Sequence, residues 1–202
     1  MAEVRGPLPE DGDGVLARDF IPESHRHLPM LRIFLPLNDR LGKPVRWSKY
    51  IALNDAPASL DWFELVDRVA SDRPEVHELV PCRGELDAVT AEALREAVGD
   101  VSLHCLRWVG YWGKPQTESP VRVYQKEYAH ASLRKAGLEE GQRVPEFAWD
   151  DERLFAWGTR LYPDSLVVAA QVEKFRQLRN DPRLDTVSIA PERDILPSSS
   201  GD

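Results

Sequence analysis

Two runs of strand-forming residues within positions 101–130 constrain the fold of this chain most strongly. The first run reads VSLHCLRWVGYW and the second VRVYQKEYAH, and the polar stretch GKPQTESP separates them. Aromatic side chains favour strands, and alternate residues of a strand share one face of the sheet. The sequence therefore predicts two extended segments here, each with aromatic and titratable side chains on one face.

Turn-forming residues divide the rest of the chain into shorter strands and helices. Residues 31–37 and 45–53 are predicted to form a hairpin whose first strand ends, or lies at a sheet edge, at Pro36. Ser59 and Thr90 are the predicted N-caps of two helices. The other predictions are strands at 76–82, 154–157, 165–170 and 184–189 and a helix at 172–178. A helix end is predicted at Gly99, a short helical turn over 132–137, and mostly loop over 138–152.

The order of these elements predicts an α+β fold, in which helices pack on one face of a mixed, mainly antiparallel β-sheet. The strand, helix and strand between residues 165 and 189 predict a βαβ-like unit, with a connection just long enough for a parallel crossover. The 202 residues suffice for one domain, which we place at 15–197. The flanking segments 1–14 and 198–202 are predicted to be flexible tails.

Composition argues against several classes of protein. A net charge of −8 and a pI of about 5.2 lack the basic footprint of a nucleic-acid binder. The sequence contains no secretory signal and no apolar run long enough to span a membrane, so we expect a cytoplasmic protein. Cys82 and Cys105 lie in apolar runs and are expected to be buried thiols in a reducing compartment. The residue usage is typical of a bacterial protein.

Motifs for common cofactors are also missing, and the sequence predicts none. There is no glycine-rich phosphate loop, nucleophile elbow or zinc-protease motif. Glu23, His25 and His27 form a weak candidate for a metal site, and the acidic stretch around 150–152, with Glu146 nearby, forms another. Both patterns are more typical of surface residues, so no metal is predicted. The segment 157–162 predicts a hairpin with a bulge at its glycine. In an alternative interpretation, Arg160 and Tyr162 face a pocket.

The paired runs at 101–130 provide the principal candidate site. If the strands align antiparallel, their rings would line a groove in which Gly110 lets a ligand approach the backbone. Planar or cationic groups would stack on the rings, and a basic side chain would hold a carboxylate. The same pattern is typical of an ordinary half-buried hairpin. The predicted ligand contacts are Trp108, Trp112, Arg122, Tyr124, Lys126 and Tyr128.

Three functions follow from these residues. The first is a small binding or accessory protein that holds an organic, partly aromatic or anionic ligand on the aromatic sheet face. The second is a protein–protein interaction module, such as a regulatory or immunity-type partner, with the same aromatic residues forming a contact patch. The third is a nucleotide-independent acid–base enzyme. Its candidate catalytic residues are His104 and His130, with Tyr124 or Lys126 polarising the substrate.

Overall fold

The computed structural model describes residues 16–109, 119–123, 126–134, 138–160 and 163–195. Both predicted tails lie outside these residues. Within them the chain forms eleven strands and three α-helices. The strands are β1 (Met30–Phe34), β2 (Leu37–Asn38), β3 (Pro44–Val45), β4 (Val80–Pro81), β5 (Ser102–Trp108), β6 (Ser119–Val123), β7 (Lys126–Arg134), β8 (Phe147–Trp149), β9 (Phe155–Gly158), β10 (Ser165–Ala170) and β11 (Asp185–Ile189). The helices are α1 (Trp62–Val69), α2 (Ala88–Val98) and α3 (Val172–Asn180).

Eight of these strands form one sheet in the order β11-β1-β10-β9-β8-β5-β7-β6. Every pairing in its described part is antiparallel. A separate small sheet has the order β3-β2-β4. The predicted α+β fold with a mainly antiparallel sheet is therefore confirmed.

The two faces of the large sheet are covered differently. On one face, α2 and α3 pack over inward-facing residues such as Leu31, Val168 and Trp157. On the other face, the N-terminal segment 17–28 packs over Val167 and Phe147. A third apolar cluster joins α1 to the small sheet. We call the side under the N-terminal segment the non-helical face.

A close contact fixes the N-terminal segment on the non-helical face. Backbone N–H groups of Ala17 and Arg18 donate to the carbonyl oxygens of Arg193 and Pro191, and the chain then passes over Gly158. A Cβ atom added to Gly158 would lie 1.8 Å from the carbonyl oxygen of Phe20. Only glycine therefore lets this segment lie against β9.

Helix α3 connects two strands that do not pair with each other. β10 and β11 both pair antiparallel with β1, which lies between them. The two strands therefore run in the same direction, with the strand from the start of the chain inserted between them. The strands and the helix of the predicted βαβ-like unit are therefore present at 165–189, but its two strands are separated by β1.

The predicted helix starts differ from those observed. The N-cap of α1 is Asp61 rather than Ser59, because the Asp61 side chain accepts a hydrogen bond from the Glu64 N–H. The N-cap of α2 is Asp87 rather than Thr90, since its carboxylate accepts from the Thr90 N–H. The end of α2 at Gly99, where φ is +66°, is as predicted.

Several strand predictions also need correction. β1 ends before Pro36 as expected, but it pairs with β10 and β11, and the hairpin after it is only the two-residue pairing of β2 with β3. Trp47–Lys49 forms a 3₁₀ turn, as does Pro74–Glu78, where strands were predicted. β7 extends to Arg134, into the predicted helical turn, and the predicted loop at 138–152 contains β8. No helix among the described residues is long and apolar enough to cross a membrane.

Candidate functional site

A cavity of about 220 Å³ opens on the non-helical face, between the start of α1 and the connection from β9 to β10. Its volume is below the roughly 300–1,000 Å³ that is usual for drug-sized ligands, so it suits a small molecule. The wall combines charged and aromatic side chains. They include Phe20, Arg32, Asp61, Trp62, Phe63, Thr159, Arg160, Asp164 and Ser165.

Arg32 is the most constrained charged residue of this cavity. It lies in the middle of β1 and is 4% exposed. Its Nε donates to Ser165 Oγ at 2.9 Å, and one terminal nitrogen donates to the carbonyl oxygen of Ala58. Its guanidinium carbon lies 4.6 Å from the centre of the Phe34 ring. These contacts hold the guanidinium in one orientation at the cavity wall.

The charge of Arg32 is only partly balanced. Its other terminal nitrogen lies 3.6 Å from Asp164 Oδ1, which is beyond hydrogen-bond distance. Burial lowers the pKa of Arg32 below that of a free guanidinium, although Asp164 and Asp61 oppose this effect. Because a guanidinium has five N–H groups, donors remain beyond its two hydrogen bonds to the described residues. The group can therefore bind an anionic atom in the cavity.

Carboxylates line the same cavity. Asp164 accepts a hydrogen bond from Ser165 Oγ at 2.9 Å, so Ser165 connects Arg32 with this acid. Asp61 caps α1 through its Oδ1. Burial raises the pKa of Asp61, and this effect exceeds the opposing effect of the hydrogen bond from Glu64. The cavity therefore presents charges of both signs.

The mouth of the cavity is apolar. Phe63 has 74% of its surface exposed, although it is a large hydrophobic residue near the start of α1. Trp62 packs edge-on against it, with the ring centres 5.5 Å apart. Pro81 of β4 also lines the cavity. An aromatic or aliphatic group of a ligand would contact these side chains while its polar end reached Arg32.

A second constellation lies on the same face, where sequence analysis predicted the groove. His104 Nδ1 lies 3.1 Å from His130 Nε2, and His104 Nε2 lies 3.0 Å from Asp151 Oδ1. The two imidazoles are nearly parallel, and Trp149 stacks on both. A neutral His104 that donates from Nε2 to Asp151 would accept at Nδ1 from His130, which defines one tautomer for each ring.

The pairing of β5 with β7 aligns the predicted faces. Trp108 pairs with Tyr128 and Leu106 with His130, so the even-numbered residues of both strands share the non-helical face. Tyr128 is 3% exposed and packs against Phe147 in the core. Trp108 is partly buried against the same apolar cluster. In the described residues, the non-helical face around Trp108 and Tyr128 is therefore occupied by core side chains.

The other predicted ligand-contact residues do not all share the face of Trp108 and Tyr128. The second run is two strands rather than one, because β6 and β7 form a hairpin in which Arg122 pairs with Glu127. This register places Arg122 on the opposite face from Tyr128, whereas Lys126 shares the face of Tyr128. Gly110, Trp112, Tyr124 and Tyr162 lie outside the described residues.

The candidate metal residues do not converge. His25 is buried and bonds Asp150 Oδ1 at 2.9 Å, while Glu23 and His27 are exposed. Asp150 instead shapes the turn between β8 and β9, since its Oδ1 also accepts from the N–H groups of Leu154 and Phe155. Glu146 is buried and accepts from the Trp108 N–H at 2.9 Å. No group of three or more His, Cys, Asp or Glu side chains in the described part of the chain is placed to hold a metal ion.

The cavity at Arg32 was not predicted from the sequence. One signal was present, because Arg32 is the only charged residue in the run LRIFLPL. A charge inside a buried strand needs partners, so its position marks a polar site within the core. In one interpretation of the sequence Arg160 faces a pocket together with Tyr162, and Arg160 does line this cavity. Comparison with known protein families, characterised proteins and solved structures finds no match.

Proposed function

We propose that this protein binds a small organic ligand that carries a carboxylate, in the cavity beside Arg32. The observation that supports this proposal is a buried guanidinium, fixed by Ser165 and Ala58, with N–H groups left over at the wall of a cavity. The ligand class agrees with the sequence-based hypothesis of an organic, partly aromatic or anionic molecule. The proposed location differs, because it involves β1 and α1 rather than residues 101–130.

The guanidinium would hold the carboxylate, and the exposed aromatic side chains would cover the apolar part of the ligand. Planar guanidinium and carboxylate groups match in geometry and form paired hydrogen bonds. Phe63 and Trp62 would then bury ligand surface that water otherwise covers. An exposed Phe63 at the mouth of a charged cavity is consistent with this role.

Isothermal titration calorimetry with 3-phenylpropionate tests the proposal, because this probe has one ring and one carboxylate. We expect Arg32→Gln to weaken binding by about 10- to 100-fold, since hydrogen bonds to a charged group contribute roughly 1.5–3 kcal/mol. Arg68→Gln removes an exposed arginine from α1 and serves as the matched control. An affinity unchanged in Arg32→Gln would contradict the proposal, and so would a wild type that binds neither 3-phenylpropionate nor phenylalanine, which carries the same ring and a carboxylate.

A second variant covers the case in which Arg32→Gln does not fold. Phe63 is exposed, so Phe63→Ala should leave the fold intact and weaken 3-phenylpropionate binding by about 3- to 10-fold. Leu41→Ala removes another exposed hydrophobic residue that does not line the cavity. Equal affinities for Phe63→Ala and Leu41→Ala would argue against this site.

One observation favours an alternative function, a nucleotide-independent acid–base enzyme. The hydrogen-bonded series from Asp151 through His104 to His130 resembles the arrangement that positions a general base. With 4-nitrophenyl acetate as a probe, we expect His130→Gln to lower the hydrolysis rate at neutral pH and His77→Gln, at an exposed histidine, to leave it unchanged. Equal rates in the two variants would exclude this role for His130.

A further inference from the structure

The cavity beside Arg32 has acidic as well as basic groups in its wall. Arg32 and Arg160 carry positive charge, while Asp61 and Asp164 carry negative charge. A ligand with a carboxylate alone would place a third anion next to the two acids, and repulsion between like charges disfavours that arrangement. The composition of the wall therefore matches a ligand with charges of both signs.

Both acids have an oxygen available for such a ligand. The hydrogen bonds that Asp61 and Asp164 accept from described residues use Oδ1 in each case. Their Oδ2 atoms have no hydrogen-bond partner within the described part of the chain, and both residues line the cavity. Burial raises the pKa of Asp61, which is the effect expected of a carboxylate whose charge lacks a close partner. A cationic donor in the cavity would supply that partner.

The aromatic residues of the cavity also favour a ligand with a cationic group. Trp62 follows Asp61 directly, and both residues line the cavity together with Phe63. A cation beside an aromatic face gains further electrostatic stabilisation. An ammonium group bound to Asp61 would therefore share the cavity with two aromatic side chains.

We propose that the ligand is a small zwitterion, an amino-acid-like molecule with a carboxylate for Arg32, an ammonium group for Asp61 and Asp164, and an apolar group for Trp62 and Phe63. This inference rests on the proposed function, since it concerns the same cavity. It adds the ammonium group as a requirement. The size of the cavity, about 220 Å³, limits the apolar part to a single ring or a short aliphatic chain.

Three probes of similar shape differ in which of the two charged groups they carry. Phenylalanine has both charged groups, 3-phenylpropionate lacks the ammonium group and phenethylamine lacks the carboxylate. We expect phenylalanine to bind at least tenfold more tightly than either of the others in calorimetric titrations of the full-length protein. Equal or tighter binding of 3-phenylpropionate would overturn the inference and leave the carboxylate site itself supported.

Asp61→Asn is the decisive variant, because asparagine caps a helix about as well as aspartate and the fold should be kept. We expect it to reduce the advantage of phenylalanine over 3-phenylpropionate at least fivefold, without weakening 3-phenylpropionate. Asp164→Asn should act in the same direction. Asp67→Asn removes an exposed acid from the same helix and should change neither affinity.

The outcomes distinguish the two proposals. Failure of both 3-phenylpropionate and phenylalanine to bind contradicts the proposed function, because both probes carry the carboxylate that Arg32 would hold. A preference for phenylalanine that persists in both Asp61→Asn and Asp164→Asn contradicts the zwitterion inference, because the ammonium group would then be recognised elsewhere.

Discussion

At the scale of single residues, the most informative side chains are charged groups that the fold buries. Arg32 is buried in β1, and Asp150 is buried at the end of β8. Each is held by partners far away in the sequence, Arg32 by Ser165 and Asp150 by His25. The residues themselves can be noticed in the sequence. Their partners cannot, because the contacts exist only after the sheet forms.

Replacing Asp150 should destabilise the fold in a pH-dependent way. Burial alone would raise the pKa of Asp150, but hydrogen bonds from His25, Leu154 and Phe155 outweigh burial and lower it. A lowered folded-state pKa means that the ionised carboxylate stabilises the protein above the unfolded-state pKa, and that this stabilisation is lost as the pH falls towards the folded-state value. We expect Asp150→Asn to cost about 2–4 kcal/mol at neutral pH.

Urea denaturation at several pH values measures this effect. The difference between wild type and Asp150→Asn should shrink on acidification below about pH 4, where the unfolded-state carboxyl begins to bind protons. Glu152→Gln alters an exposed neighbour and should change stability by less than about 0.5 kcal/mol. A difference that stays constant down to pH 3 would show that the charge of Asp150 is not responsible.

The two cysteines should be unreactive in the folded protein. Both are free thiols and buried, as the sequence predicted, and burial raises the pKa of each to about 12. Because the thiolate is the reactive form, we expect no maleimide labelling of Cys82 or Cys105 under native conditions at neutral pH. Labelling of both thiols should follow in guanidinium chloride. Rapid labelling of either one in the native protein would contradict its burial.

At the scale of secondary-structure elements, the hydrophobic periodicity of the sequence predicted most helices and strands. The observed capping residues differ from the predicted ones and shift the helix starts. β10 occupies the predicted residues, and α2 ends at the predicted glycine. Residues 45–53 look extended in the sequence, but the Trp47 indole is buried and donates to the Leu35 carbonyl, so the chain forms a 3₁₀ turn there. β8 was missed because it has three residues and is defined by its two neighbouring strands.

The contact between Gly158 and Phe20 predicts how the N-terminal segment would be released. In Gly158→Ala, the new Cβ atom would meet the backbone of Phe20, which cannot give way without moving the segment off β9. We expect a loss of about 1–3 kcal/mol or more in stability and faster tryptic cleavage at Arg18 and Arg26. Denaturation curves and timed proteolysis measure the two effects.

Gly141→Ala is the control for this prediction. Gly141 has a φ of +73° and open space around it, so alanine there adds backbone strain but no collision. It should lower stability without changing the rate of cleavage at Arg26. Equal cleavage rates in Gly158→Ala and the wild type would mean that the segment tolerates the added atom.

At the scale of the whole molecule, the sheet is most protected near β1. This strand has a hydrogen-bonded neighbour on each side and is buried along its full length, whereas β11 is an edge of the sheet. We expect backbone amides of β1 and β10 to exchange most slowly with solvent and those of β11 faster, by hydrogen-exchange mass spectrometry. Equal protection of β1 and β11 would imply that the edge of β11 is covered.

The fold class was accessible from the sequence because it depends on local patterns, whereas the cavity was not. Its wall combines β1, the start of α1 and residues 158–165. No spacing along the chain relates these segments, and only the insertion of β1 beside β10 brings them together. The paired histidines are an intermediate case. Strand alternation placed His104 and His130 on one face only if the two strands paired in register, which they do, but it gave no sign of Asp151.

The insertion of β1 between β10 and β11 also bears on how this protein is synthesised. Phe34 pairs with Ser165, so more than 130 residues must be translated before β1 gains either neighbour. At roughly 5–20 residues per second, this takes on the order of ten seconds. During that time both edges of β1 are unpaired in the nascent chain, and Arg32 lacks its hydrogen bond to Ser165. Completion of the large sheet is therefore delayed until β10 and β11, which lie within 165–189, have been translated.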